Sequence, residues 1–272
     1  VSETTDLHNE AIEILKATSR TFFIPISLLT SGLKEAVASA YLCMRAIDEI
    51  EDHEELPSIV KSDLLQAVSQ MLRTPTTEHN FNELFNPYHS KLPEVTLRLS
   101  DWVAICPLPI RNKMLEATAV MAEGMANWVT KDWIINDEKD LDDYTYYVAG
   151  LVGVMLTDIW EWYDGTNTDK ELAIAFGRGL QSVNILRNHT EDAERGVSFY
   201  PNGWGFKDML AYARRNLALA DEYIKGIKTE TILHFCQIPL ALAHGTLNAL
   251  TDGKEKMSRS EVTETVSRVV GK

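Results

Sequence analysis

Residues 36–54 read AVASAYLCMRAIDEIEDHE. The first part, Ala36 to Met44, is small and apolar, and it runs into a basic residue and then a cluster of acids without a glycine or proline between them. Such a run predicts a buried helix whose acidic end faces an internal cleft. On that helix Asp48 and Asp52 stand one above the other at i,i+4, with Glu51 and Glu55 on another face. Like charges one turn apart repel by a few tenths of a kcal/mol, so the pair asks for a cation. Arg45, one turn earlier, is placed to hold an anion beside them. Two carboxylates in a cleft suit Mg²⁺, which is held through oxygen ligands and a substrate phosphate.

Upstream, Leu7 to Lys16 has helical spacing and ends near Thr18, Ser19, Arg20 and Thr21, beside the aromatics Phe22 and Phe23. Hydroxyls and a guanidinium there fit either a helix cap or a phosphate-binding helix start. Pro25 favours a break or a new helix. Downstream, helices are predicted over Leu33–Asp52, Ile59–Leu72, Leu92–Ile105 and Ile110–Val129, and the proline-broken region from Arg73 to Pro93 reads as short helical turns and loops.

Leu141 to Trp162 is the most apolar predicted helix, and it places Ala149, Gly150 and Gly153 along one side. Glycine inside a helix costs roughly 0.5–1 kcal/mol relative to alanine. Either a neighbouring helix comes close there or an elongated apolar ligand lies in the groove.

The next predicted helix, Thr168 to Glu194, contains a second polar stripe. Asn184, Asn188 and Asp192 follow one another at i,i+4, with Gln181 upstream and Arg187 and Arg195 flanking. Helices follow over Phe206–Lys225, Thr229–Leu250 and Ser258–Val269. Lys254, Lys256 and Arg259 form a basic cluster that is either solvated or closes over a diphosphate. No strand alternation extends beyond a few residues, so the expected fold is all-α, a single domain over 1–272.

A net charge of -14, from 40 acidic and 26 basic residues, argues against a nucleic-acid partner. A small phosphate is still admissible, because a bound metal reverses the local sign. Cys43, Cys106 and Cys236 make neither a zinc pattern nor a disulfide framework and read as buried thiols. The longest apolar stretch, Val148 to Leu156, is too short for a transmembrane segment. With no secretory signal in view the expected localisation is cytoplasmic.

If the two polar helices face one another, Mg²⁺ ions and a diphosphate balance their charge, Arg45, Arg20 and Arg187 donate to its oxygens, and the glycine-thinned helix takes an attached hydrocarbon. This geometry suits an allylic prenyl diphosphate. Over nearly its whole length the chain resembles the squalene and phytoene synthase family. The resemblance is carried by TSRTF (Thr18–Phe22), RAIDEIED (Arg45–Asp52), YTYYVAGLVG (Tyr144–Gly153) and QSVNILRNHTEDAERG (Gln181–Gly196).

The resemblance implies an isoprenoid-synthase-type helical bundle with a central cavity, Mg²⁺ as cofactor, and farnesyl or geranylgeranyl diphosphate as substrate. It implies metal ligands at Asp48, Asp52, Asn184 and Asp192, with Asn188 beside them in the catalytic set. It implies supporting polar roles for Arg45 and Gln181, and a hydrocarbon lining shaped by Phe22, Tyr144 and Gly150. Thr18, Arg20 and Arg187 complete the substrate-binding set. Transient contact with a membrane on product release is a further expectation.

Departures from the family pattern set the expected reaction. Asn188 stands where condensing members carry aspartate, and Thr18 where they commonly carry histidine. Trp128 takes the last place of GMxxD, RGVSFYP replaces RGRxYLP, and HGTLNAL (His244–Leu250) lacks the tyrosine-containing pattern expected near the C-terminus. One carboxylate fewer is expected to weaken binding of a second prenyl diphosphate while ionisation of the first survives. The expected activity is therefore Mg²⁺-dependent hydrolysis of farnesyl diphosphate to farnesol and pyrophosphate, similar to a bacterial farnesyl diphosphate phosphatase of the family. The alternative is a head-to-head prenyl transferase making dehydrosqualene, squalene or phytoene.

Overall fold

The computed structural model describes residues 2–271, the side chains of residues 2 and 20 excepted. Among the described residues it consists of helices, turns and loops, with no strand. The chain divides into two compact units, one ending at Asp132 and the other starting at Trp133. Asp132 and Trp133 both hold φ at 52°, a left-handed conformation that costs a non-glycine residue roughly 1–2 kcal/mol.

The first unit comprises α1 (Ser2–Thr18), α2 (Arg20–Ser27), α3 (Leu33–Glu51), α4 (Ser58–Arg73), α5 (Asn82–Phe85), α6 (Glu94–Leu97), α7 (Leu99–Ala104) and α8 (Leu108–Thr130). Helix α3 packs against α1, α2, α4, α6, α7 and α8. Its buried face explains this: Leu33, Ala36, Val37, Leu42, Cys43, Ala46, Ile47 and Ile50 are all nearly or fully shielded. Small residues on that face admit close neighbours, and two side-chain bonds fix them. Ser39 donates to the Trp102 carbonyl at 2.7 Å and Thr96 to the Ala46 carbonyl at 2.8 Å.

The single helix expected over Leu92–Ile105 is broken at Arg98, giving α6 and α7. The Trp102 indole donates to the Val95 carbonyl at 2.8 Å. That carbonyl is thereby drawn into a side-chain bond at the point where a continuous helix would need it.

The second unit comprises α9 (Glu138–Thr145), a π-helical segment (Tyr146–Gly150), α10 (Leu151–Asp164), α11 (Lys170–Glu194), α12 (Phe206–Ile224), α13 (Glu230–Thr251) and α14 (Arg259–Val270). Helix α11 packs against α9, the π segment, α10, α12 and α13. Glycines make this possible: a Cβ at Gly153 would come within 2.2 Å of the Ala173 carbonyl oxygen, and one at Gly177 within 2.3 Å of that of Ala149. At Gly150 a Cβ would meet Ile174 Cγ2 at 3.1 Å. Close helix approach therefore accounts for the glycines whose purpose the spacing leaves open. Tyr223 centres a buried polar network in this unit, its hydroxyl lying 2.9 Å from the Thr157 hydroxyl and accepting from the Trp160 indole at 3.1 Å.

Candidate functional site

The first unit presents its chemistry along one stripe of α3. Tyr41, Arg45, Asp48 and Asp52 follow at helical spacing, and the stripe ends where the helix ends. Asp52 closes the last turn, its backbone N–H donating to the Asp48 carbonyl at 2.9 Å. One carboxylate oxygen from each of Asp48, Glu51 and Asp52 lies within 4.8 Å of the others. Oxygens bound to an octahedral Mg²⁺ at about 2.1 Å are separated by roughly 3–4 Å, so modest side-chain movement would close this set on one ion. The donors are all hard oxygens, which suits a divalent cation of that class.

The electrostatics point the same way. Asp48 keeps 34% of its side chain exposed, yet desolvation by the surrounding protein, and next the neighbouring Asp52 carboxylate, raise its carboxyl above the usual aspartate range against the opposing pull of Arg45. Arg45 gives its short contact elsewhere: Nη2 lies 2.6 Å from Glu49, whereas Nη1 is 3.6 Å from Asp48. The Arg45 Nε is buried without a hydrogen-bond partner. Crowded carboxylates and an unsatisfied guanidinium donor thus sit one turn apart. A metal ion answers the first and an anionic ligand the second.

Sequence spacing puts Glu51 on a face away from Asp48 and Asp52, but its carboxylate joins theirs. The signal was available, since i,i+3 neighbours also meet on a helix. It is also the more deeply enclosed partner, at 1% exposure. Tyr41 carries no signal of its own in the sequence. Its ring lies 5.7 Å from Phe22, and burial raises its hydroxyl pKa despite hydrogen bonding from Ser19.

At the start of α2, Ser19 takes the capping role, accepting from the Phe22 N–H at 3.1 Å. The Thr18 hydroxyl is committed to the Ile14 carbonyl of α1 at 2.9 Å. The side chain of Arg20 lies outside the described residues.

In the second unit the stripe on α11 is less uniform. Asn184 is exposed and accepts from Arg187 at 3.3 Å; Gln181 and Asn188 are half-buried. Asp192 is buried, at 6% exposure, and its carboxylate pairs with Arg195 at 2.5 Å. Tyr144 is enclosed and stacks on Phe199 with ring centroids 5.2 Å apart. His189 and Tyr200 stack more closely, at 4.0 Å and 12° between planes. Gly150 has its place in the packing on Ile174 already described. Lys254 pairs with Glu261 at 3.4 Å, and Lys256 and Arg259 are exposed.

Comparison with known proteins places these features in a family. A sequence profile described as squalene/phytoene synthase matches residues 15–205. Squalene synthase from Dictyostelium discoideum is 30% identical over 276 aligned positions, covering 87% of this chain and 62% of the relative. The squalene synthase of Rattus norvegicus is 28% identical, covering 86% of this chain and likewise 62% of the relative. The chain thus spans about three-fifths of the length of the curated relatives it matches.

Among solved structures, a ligand complex of TcSQS superposes with a TM-score of 0.80 at 22% identity, covering 98% of this chain and 86% of that one. A ligand complex of a dehydrosqualene synthase gives 0.70 at 20% identity, covering 99% and 97%. These confirm the all-α isoprenoid-synthase fold.

The relatives also correct the expected reaction. They carry the names of squalene synthases, and the structural neighbours those of squalene and dehydrosqualene synthases. The farnesyl diphosphate phosphatase reading rested on Asn188 and on the C-terminal departure at His244–Leu250, and it is overturned; the head-to-head transferase alternative is the one these names support. Physically, that reading gives too much weight to one neutral residue. Asp192 on the same helix is itself paired with Arg195, while the acidic groups that crowd together are gathered on α3. Among the described residues no helix is long and apolar enough to cross a membrane.

Proposed function

Because the chain belongs to the squalene/phytoene synthase family, we propose that it joins two prenyl diphosphates head to head in a divalent-metal-dependent reaction, with farnesyl diphosphate as substrate and Mg²⁺ as the ion. Residues 1–272 serve this one reaction as a single catalytic domain. The observation that carries the reading is the convergence of Asp48, Glu51 and Asp52 within 4.8 Å beside the orphaned Arg45 donor.

Asp48, Asp52 and Glu51 are the residues that would hold the ion, with Asp192 and Asn184 supplying the oxygen donors of the second motif. When bound, the metal draws charge from the leaving diphosphate and lowers the barrier to C–O cleavage. Arg45 orients a diphosphate oxygen through its unsatisfied Nε. Phe22 and Tyr41 offer aromatic surface next to the polar stripe, and Tyr144 stacked on Phe199 gives the second unit a similar apolar patch. Asn188 retains a side-chain oxygen that can serve as a neutral ligand or hydrogen-bond acceptor.

Product analysis tests this directly. Purified protein incubated with farnesyl diphosphate and Mg²⁺, with and without NADPH, is expected to give a squalene-type, dehydrosqualene-type or presqualene-type product that disappears with EDTA. Farnesol as the only metal-dependent product would sink the proposal.

A further inference from the structure

The acidic cluster lies on the last turn of α3, where a helix is least able to hold its own shape. The final carbonyls of a helix have no intrahelical partner, and such turns fray unless something outside the helix engages them. In this chain Lys61 of α4 supplies that engagement. Its ammonium donates to the Glu51 carbonyl at 2.7 Å, and the residue is only 7% exposed. A buried ammonium carries a desolvation cost that a methionine of similar length would avoid. Its position is selective: the carbonyl it engages belongs to a member of the cluster.

The chain leaving the helix is held as well. The His53 ring lies 3.0 Å from the Lys91 carbonyl through Nε2, while its Nδ1 accepts from the N–H groups of Glu55 and Leu56 at 3.1 and 3.2 Å. Nδ1 is the acceptor and Nε2 the donor, so the neutral ring staples the turn that connects Asp52 to α4.

We propose that Lys61 is a positioning residue for the metal-binding cluster: by anchoring the Glu51 carbonyl it keeps the carboxylates of Asp48, Glu51 and Asp52 convergent. The inference rests on the metal-diphosphate reading of that cluster. It also predicts a sign. A cation that acted only through its charge would repel a metal ion, and neutralising it would tighten metal binding. A positioning cation does the reverse: its loss loosens the carboxylates and weakens binding. Residues that orient metal ligands typically change affinity by 10–100-fold when replaced.

The test is Mn²⁺ binding to the full chain without substrate, read from the paramagnetic resonance of free Mn²⁺, with far-UV circular dichroism and thermal unfolding as folding controls. Lys61→Met is expected to fold and to bind Mn²⁺ about 10–100-fold more weakly, and Lys61→Arg to return affinity to within a few-fold of the unaltered chain. Lys61→Gln, which keeps a donor without the charge, serves as the second neutral variant should Lys61→Met not fold, and it is expected to fall between the two. Affinity equal to or tighter than that of the unaltered chain in either folded neutral variant overturns the positioning role. If the unaltered chain itself binds no Mn²⁺, the metal reading of the cluster fails, and the positioning role fails with it.

Discussion

The acidic turn of α3 and the amide-rich stripe of α11 look alike in sequence and differ in structure. On α3 three carboxylates converge, and Asp48 is pushed away from ionisation by desolvation and by Asp52. On α11 the one buried acid, Asp192, already has a cation, and the amide at Asn184 is exposed. The first helix gathers its acidic side chains at one end, close enough to raise the Asp48 pKa. The second has largely neutralised its charge, and it spends much of its length on packing, with Gly177 against Ala149. Spacing alone does not distinguish these cases; the partners of each oxygen do. A neutral residue at position 188 therefore costs less than its place in the motif suggests.

The largest expected effect breaks the comparison at its stronger side. Asp48→Ala should lower kcat/KM by about 10³-fold or more in a product-formation assay, since metal-assisted charge stabilisation is worth several kcal/mol. Asp192→Asn should cost less, about 10–100-fold, because Arg195 already shares that carboxylate's charge. Equal losses at the two positions would show that the α3 cluster is not the dominant anchor.

Packing on α11 gives the next effect. Gly177→Ala forces a methyl group to within 2.3 Å of a backbone oxygen that cannot move aside cheaply, and about 1–3 kcal/mol of stability should be lost in urea unfolding. Gly205, where an added methyl group would meet nothing within 4 Å, provides the control: Gly205→Ala should change stability far less.

A smaller effect, but a more diagnostic one, concerns pH. A carboxyl with a raised folded-state pKa holds a proton in the fold that the unfolded chain has released. The stability it contributes therefore falls as pH climbs from the ordinary aspartate value of about 3.9 through the raised value, and the penalty is full above it. Asp48→Asn should raise the metal-free Tm at neutral pH, with no gain at pH values where both states are protonated. Added Mg²⁺ should stabilise the unaltered chain and reduce that difference. A metal-free Asp48→Asn protein that melts lower at neutral pH would show that the cluster is not strained by its charge.

The helices were legible because their signals are local. The lead-in Ala36–Met44 and the spacing of Asp48 and Asp52 predict α3 to within a residue of where it is found. The split at Arg98 was not legible, because it depends on where the Trp102 indole finds an acceptor. The candidate site was half legible for the same reason. Residue types and spacing identify the stripes, but that Glu51 turns toward Asp48, that Arg195 covers Asp192, and that Lys61 reaches the Glu51 carbonyl are outcomes of folding. The glycines of the apolar helix are recognisable in sequence as requiring a steric reason, and Ala173 and Ile174 supply it.

The π-helical segment Tyr146–Gly150 has a consequence for how this region can change. An α-helix turns about 100° per residue, and a π turn lodges an extra residue within the spiral. The wider turn absorbs that residue, so α10 leaves the segment in nearly the phase that an uninterrupted α spiral one residue shorter would give it. Deleting a single residue within the segment would therefore tighten it to an ordinary α turn and leave Gly153 facing Ala173. The same deletion made further along, between Gly150 and Gly153, has no wide turn to take it up and would rotate Gly153 by about 100° out of its contact. Evolution can thus change the number of residues here at less cost than in the helical turns on either side.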